Sequence, residues 1–318
     1  MTTGSAIPYH LRVNKAVDRE LFLSLLTRLA PSLNLECYQY VGLGGPFLED
    51  FRLVHARVGI KSMICVEREE DVHRRQLFNK PIDCIECVYS TLENYFSSND
   101  FQQPVILWLD NTEPSGLADQ INFFARVITS LPCGSIVKTT LNANPQFFNP
   151  PSDILQTGPV LHQARLERLR QKLGSICPSN LKAEDMTKKK FGKSVLSALK
   201  ISVSKESLNP LSASIEWTLC CHYSDGQPMV TATAISLERN NDRVAELVRS
   251  WEFYSTPEEP LCLDMPILST RERLALEAAS NPLEILNFKL PDSSMGVDPL
   301  QSFQRYYRVL PHFSRVEL

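Results

Sequence analysis

The sequence predicts an α/β fold in which a doubly wound, mostly parallel sheet carries helices on both faces. Three observations predict it. Between residues 36 and 142 short apolar runs alternate with segments of helical spacing. Glycines mark the passage from the first run into its helix, and an Asp-Gly turn joins two β-rich segments further on. Parallel neighbours need a helix-length crossover, so an alternating series of this kind is most economically one sheet.

In chain order, Asn14 is read as the cap of a first helix reaching residue 29. Val17, Leu21, Leu25 and Leu29 form its apolar stripe, widened by Phe22 and Leu26. Residues 37–43 make the first strand. Phe47, Leu48, Phe51, Val54 and Val58 then recur at helical spacing behind Pro46, a residue that a helical first turn accepts. Residues 61–67, 82–88, 104–110 and 134–141 supply four more strands, with helices over 69–78, 91–96 and 117–130 between them. The Asn- and Pro-rich stretch 142–151 is read as a loop over the strand ends. Residues 214–223 and 229–237 flank Ser224-Asp225-Gly226-Gln227-Pro228 and form an antiparallel hairpin. A helical stretch (243–253), a Pro-rich connector (257–266), a helix (270–279) and an aromatic tail follow. The expected organisation is an N-terminal helical segment (1–35), a sheet domain (36–240) and a C-terminal extension (241–318).

Composition bounds the function classes. With 43% apolar and 22% charged residues and a formal charge of −3, the chain has the balance of an ordinary globular protein, which excludes disordered and fibrous classes. No apolar run reaches the 18 or so residues that span a bilayer, and the start lacks the pattern of a secretory leader. The expectation is a cytoplasmic protein with no membrane partner. Nine cysteines scattered from Cys37 to Cys262 do not make a disulfide framework. Cys84 and Cys87 have CxxC spacing but fall in a strand, where residues three apart point to opposite faces. No second such pair and no close pair of histidines accompanies them, so no metal site is assigned.

The chemistry concentrates at the strand ends. In Val41-Gly42-Leu43-Gly44-Gly45-Pro46-Phe47 the glycines allow a tight turn and a close ligand. A dinucleotide fingerprint would place a third glycine where Phe47 stands, which argues against a nicotinamide oxidoreductase. The second strand ends at Glu67, followed by Arg68, where a carboxylate can accept both hydroxyl hydrogens of a ribose. Ser90-Thr91 makes a polar turn after strand three, and Asp110 ends strand four.

That order, closed by the hairpin, resembles a class I S-adenosylmethionine-dependent methyltransferase over residues 36–238. The resemblance implies a Rossmann-like doubly wound sheet of about seven strands with a closing antiparallel hairpin. More closely, Leu11-Arg12-Val13-Asn14-Lys15-Ala16-Val17-Asp18-Arg19, the block 41–50 and the turn 223–229 resemble a family of bacterial proteins named as O-methyltransferases from their fold. The implied cofactor is S-adenosylmethionine. By position, Gly42, Gly44, Gly45 and Pro46 would pass under its methionine moiety, Glu67 would hold the ribose, and Arg68 would lie beside the adenine. Ser90 and Thr91 stand where many members carry an acid for the adenine amino group. Lys15, with Arg12 and Arg19, could close over a carboxylate of the cofactor or of an acidic substrate. The alternative, favoured for Arg19, is that these cations are the solvated face of the helix.

Asp110-Asn111-Thr112-Glu113-Pro114 occupies the place where amino-methylating enzymes carry an Asp/Asn-Pro-Pro-aromatic motif. The double proline and the aromatic are absent here, which argues against DNA adenine methylation. Asp110 and Glu113 are the candidate catalytic residues, as general bases for a hydroxyl or amine proton. Asp110 could instead cap the helix that begins at 117. Cation-dependent relatives add an Asp-Asn pair beyond strand five; this chain has Asn142 and Asn144 but no second carboxylate.

Residues 161–205 hold eleven Lys or Arg against Glu167, Glu184 and Asp185. Nucleic acid is a possible partner through 182–200, which contain Lys188-Lys189-Lys190, but Phe191 is the sole adjacent aromatic and this partner is not favoured. Trp251, Phe253, Tyr254, Phe303, Tyr306, Tyr307 and Phe313 could line a substrate pocket or a partner surface; the favoured reading is that they pack the extension onto the sheet. The six histidines are scattered and assemble no catalytic constellation. The expected function is S-adenosylmethionine-dependent methyl transfer to oxygen or nitrogen. The acceptor, a small molecule or a macromolecule, would be reached through the 142–151 loop and the Asp225 turn. The alternative is a noncatalytic nucleotide-binding module that regulates a protein assembly.

Overall fold

The computed structural model describes residues 12–151, 157–207, 213–239, 242–279, 281, 285–293 and 295–311. Leu11 and Phe313, named above, lie outside the described residues. One eight-stranded sheet organises the chain, with strands β1 (Gln39–Gly42), β2 (Ser62–Glu67), β3 (Ile85–Tyr89), β4 (Val105–Asp110), β5 (Ile136–Asn142), β6 (Ala213–Asp225), β7 (Gln227–Glu238) and β8 (Leu261–Leu263). Their order is β3-β2-β1-β4-β5-β7-β6-β8. The first five are parallel, β7 runs antiparallel between β5 and β6, and β8 runs parallel to β6 at the edge. This is the doubly wound sheet with its closing hairpin, extended by one strand. The order reverses between β1 and β4, the switch point beyond whose carboxyl ends such sheets bind ligands.

Helices α1 (Val13–Leu33), α2 (Glu49–Val58), α3 (Glu70–Asn79), α4 (Leu92–Ser98), α5 (Leu117–Ser130), α6 (Gly158–Leu173), α7 (Phe191–Glu206), α8 (Asp242–Arg249), α9 (Thr270–Ala278) and α10 (Pro299–Tyr306) cover it. Several bounds differ from the sequence expectation for local reasons. Asn34, left-handed at φ 54°, ends α1, and a short 3-10 turn over Leu35–Cys37 delays β1 to Gln39. Gly44, Gly45 and Leu48 all take positive φ, so α2 starts at Glu49, after a 3-10 turn that contains Pro46. The basic segment folds into α6 and α7, the Pro-rich connector contains β8, and the aromatic tail contains α10, capped by the Asp298 carboxylate. Among the described residues no helix is long and apolar enough to cross a membrane.

Strand alternation divides the interior into two cores. On β4, Ile106 and Trp108 face α1 and α2, while Val105, Leu107 and Leu109 face α5 to α7. The first core also takes Trp251, Phe253, Phe303 and Tyr306, with Phe253 stacked on Tyr306 at 5.9 Å. These aromatics pack the extension onto the sheet.

Helix α1 carries an unusual face within that core. Asn14, Lys15, Asp18 and Arg19, spaced so that they share one side of a helix, are all buried. Asn14 lies inside the helix and does not cap it. The cap comes from the hairpin, where the Asp225 carboxylate accepts the backbone N–H groups of Asn14 (3.2 Å) and Lys15 (2.8 Å). The Asn14 side chain donates to Asp225 and to the Ser224 carbonyl, and accepts the Met265 N–H. Asp18 meets Lys138 of β5 at 3.0 Å, with the two side chains 1% and 0% exposed, and accepts the Thr231 hydroxyl at 2.7 Å. The Lys138 ammonium also sits about equally over the Phe22 and Trp108 rings, at 5.1 and 5.0 Å.

Removing one partner of a buried pair strands the other charge, so Asp18→Ala should cost about 3–5 kcal/mol in urea unfolding. Pairing Asp18→Leu with Lys138→Met should recover most of that loss. A second expectation concerns His222 of β6, packed so closely on Gly192 that a Cβ there would come within 2.7 Å of the imidazole. Burial, and after it the charge of Lys188, lowers its pKa to about 4. A base held neutral in the fold stabilises it fully above the unfolded pKa of about 6.5. That contribution, roughly 3 kcal/mol, is lost as the pH falls from about 6.5 to about 4, and His222→Phe should flatten this part of the stability–pH curve.

Candidate functional site

The carboxyl ends of β1 and β4 meet at the switch point, with Gly42 in register with Trp108. Two glycines of the turn are glycines for different reasons. At Gly44, φ is +65° and a Cβ would lie 2.8 Å from the Phe51 ring and 2.9 Å from Cys65 Sγ, so the fold itself demands glycine there. At Gly42 the nearest atoms to a Cβ would be the Tyr40 hydroxyl at 3.5 Å and the Trp108 carbonyl at 3.7 Å, both ordinary contacts. The packing of the chain does not force glycine at 42: the residue is buried, and a methyl there would rest in ordinary contact with Tyr40 and Trp108. The turn is held from behind. Gln76 donates to the Leu43 and Gly45 carbonyls, both at 3.0 Å, and Asn79 donates to the Pro46 carbonyl at 2.8 Å.

Glu67 ends β2 half-buried, and one of its oxygens accepts the Glu69 N–H at 2.8 Å, just ahead of α3. Burial holds its pKa above the ordinary glutamate value, against the pull of that N–H. Arg68 is exposed and faces Glu69 at 3.6 Å. The Ser90 N–H donates to the Glu67 carbonyl, which joins the ends of β2 and β3, while the Thr91 hydroxyl accepts the Asn94 N–H and caps α4.

Helix α1 delivers Lys15 to Asp110 at 2.9 Å. Burial opposes the Asp110 charge, but the Lys15 ammonium outweighs it and holds the carboxyl below the usual range. The other oxygen, Oδ1, is buried without a hydrogen-bond partner among the described residues. Asp110 therefore does not cap the helix at 117. One turn along α1, Arg19 is 4% exposed and contacts Glu49, at 3.3 Å, and Asp50 at the start of α2. The solvated-face reading of Arg19 is corrected: its position beside the acids of the α2 first turn buries it.

Glu113 stands apart from the Asp110 pair, exposed on the loop after β4, where it accepts the Ser115 hydroxyl at 2.9 Å. It lines a hollow of about 520 Å³ together with residues of the turn after β5 and of α6. A second hollow, of about 190 Å³, lies between Asn144, Arg165, Lys188 and Gln227. Asn142 and Asn144 are used within their loop: Asn142 accepts the Asn144 N–H, and Asn144 bridges to Gln227 of the hairpin. Cys84 faces His55 at 3.7 Å while Cys87 lies in register with Cys65, so the two thiols have different neighbours. Among the described residues no three His, Cys, Asp or Glu side chains gather as a metal-holding group.

A family described as "Putative O-methyltransferase" matches residues 7–318. The chain belongs to this family. Among solved structures it is similar to Trm1 from Pyrococcus horikoshii in complex with S-adenosyl-L-methionine, at 10% identity and a TM-score of 0.39, over 73% of this chain and 57% of that one. It is also similar to the plantazolicin methyltransferase BamL in complex with a triazolic desmethylPZN analog and SAH, at 12% identity and a TM-score of 0.37, over 71% and 87% of the two chains. The chain thus spans little more than half the length of the first of these. No protein of curated function matches it in sequence.

In this methyltransferase-family chain, sequence reasoning missed Asp18, Lys138, Asp225, Glu49 and Asp50. The signal was present: four polar residues at i, i+1, i+4 and i+5 flank the apolar stripe of Val17, Leu21 and Leu25, and polar residues beside such a stripe need partners. If Lys15 is what keeps the Asp110 carboxyl ionised, then Lys15→Met should leave burial unopposed. A carboxylate-resolved NMR titration should then find Asp110 titrating above its ordinary range in the variant and below it in the parent.

Proposed function

We propose that the chain is an S-adenosylmethionine-dependent methyltransferase whose cofactor lies across the switch point. The observation that carries this reading is the buried Lys15–Asp110 pair at the carboxyl end of β4, beside the end of β1, where Gly42 is a glycine that the packing of the chain does not require. A methionine moiety carries an ammonium and a carboxylate, and Lys15 and Asp110 present the two complementary charges 2.9 Å apart. The Asp110 carboxylate accepts from the ammonium, and the Lys15 charge attracts the carboxylate of the methionine moiety. Gly42, Gly44, Gly45 and Pro46 form the floor, and the Leu43, Gly45 and Pro46 carbonyls of that turn are tied back to α3. Glu67 keeps one oxygen on the Glu69 N–H and offers the other to the ribose; Arg68, Ser90 and Thr91 border the adenine.

When bound, the cofactor supplies a methyl group on a positively charged sulfur, ready for transfer to an oxygen or nitrogen nucleophile. The chain's own work is placement, which by itself supplies a large part of the barrier reduction in a two-substrate reaction. Glu113 is the base that takes the acceptor's proton; the Ser115 hydroxyl orients it. Asp110, held ionised by Lys15, serves to bind rather than to move a proton.

Calorimetry with S-adenosylmethionine tests the assignment. Gly42→Ala places its methyl at ordinary contact distances, so it should fold normally yet lose affinity because the methyl stands where the cofactor would pass over the bare backbone. Glu67→Ala forfeits hydrogen bonds to a charged group, of about 1.5–3 kcal/mol, and should weaken binding about ten- to one-hundred-fold. Parent-like affinity in both variants would remove the cofactor from this crevice.

A further inference from the structure

Resting on that reading, we propose that the acceptor is a small aromatic anion and that it sits in the hollow of about 520 Å³ between the loop after β4, the turn after β5 and α6. Three segments wall this hollow. The loop after β4 brings Glu113 and Ser115, the turn after β5 brings Phe147 and Phe148, and α6 brings Arg168 and Lys172. The volume falls within the range of small-ligand sites, roughly 300–1,000 Å³.

Each wall has a feature that the fold does not explain. Phe148 is buried and packs on Phe191 at 5.6 Å, as a core aromatic does. Its neighbour Phe147 is 53% exposed, and leaves a ring face open to the hollow. Arg168 and Lys172 are four residues apart, which puts them one above the other on one face of α6. Like charges at this spacing repel, and among the described residues neither has an ion pair or hydrogen bond to offset that repulsion. An anion between them removes the conflict, and a guanidinium with an ammonium is suited to a carboxylate or a phosphate. The opposite wall carries Glu113, which repels a second anion but accepts from a neutral hydroxyl or amine.

The three walls therefore describe one ligand. Its aromatic body lies on Phe147, its anionic group meets Arg168 and Lys172, and its neutral O–H or N–H points at the Glu113 carboxylate. In the reaction the O–H or N–H bond breaks and its proton passes to Glu113. The freed electron pair forms the bond to the methyl carbon as the methyl–sulfur bond breaks, and that bond's pair stays on sulfur.

The test is calorimetry on the full chain in the presence of saturating S-adenosylhomocysteine, whose own binding is measured first. The two probes are 4-hydroxycinnamate, an aromatic carboxylate, and uridine 5′-monophosphate, an aromatic phosphate. One of them should bind, and which one does distinguishes the two anion types. Arg168→Ala with Lys172→Ala should weaken that probe about thirty-fold or more, and Phe147→Ala should weaken it several-fold. All three positions are exposed, and circular dichroism should show each variant folded as the parent. If S-adenosylhomocysteine binds but neither probe does, or if the double variant binds its probe as the parent does, the acceptor inference is overturned and the proposed function stands. If a probe binds through Arg168 and Lys172 while S-adenosylhomocysteine does not, the hollow is supported and the cofactor reading is lost. Binding of neither overturns both.

Discussion

The polar face of α1 is the constraint on which the rest depends. Four side chains that would ordinarily face water are buried there, and each is matched by a partner on a different part of the sheet: Asn14 by the hairpin turn, Lys15 by the end of β4, Asp18 by β5, Arg19 by the first turn of α2. Buried charges are costly unless paired, so the helix has one orientation and one register in which all four are satisfied at once. An apolar helix face would have packed as well by area, but a shift of one turn would cost it little. Here a shift of one turn leaves four charged or polar groups stranded. Such pairs contribute little net stability relative to apolar replacements; their effect is on uniqueness of placement.

That placement is what turns a sheet edge into a site. The switch point of a doubly wound sheet opens a crevice whatever covers it. In this chain the cover is α1, and it arrives with Lys15 already fixed on Asp110 and with its N-terminal N–H groups held by Asp225. The closing hairpin thus does more than complete the sheet. Its turn, 211 residues from Asn14 in the chain, caps the helix that roofs the crevice. The glycine turn divides its duties in a similar way, with Gly44 serving the backbone conformation and Gly42 under no such demand from the fold.

Much of the sheet was legible in the sequence. Strands β2, β4 and β5 and the hairpin show either continuous apolar runs or alternation ended by turn residues, and the parallel direction of the first five strands follows from helix-length crossovers. The three-residue β8 was not legible because, at that length, a strand has no period and takes its place from β6. Helix α2 starts later than Pro46 suggests, since Leu48 adopts a left-handed conformation that no composition rule anticipates. Within the site, Gly42, Glu67 and Asp110 could be placed at strand ends from spacing alone. The partners of Lys15 and Arg19 could not, because i, i+4 spacing says that two side chains share a face and is silent on what lies opposite. The same holds for Phe147, Arg168 and Lys172, which meet across segments that nothing in their sequence spacing connects.

In the function proposed above, α1 and the glycine turn clasp one adenosyl ligand between them. Hydrogen–deuterium exchange with and without S-adenosylhomocysteine tests it most directly, because it reads every backbone segment in one experiment. The ligand should slow exchange in three separate places: residues 13–19 of α1, residues 42–46 of the turn, and residues 67–69 after β2. Protection confined to other segments, or the turn protected while α1 exchanges unchanged, would contradict the claim that the buried polar helix forms the roof of the site.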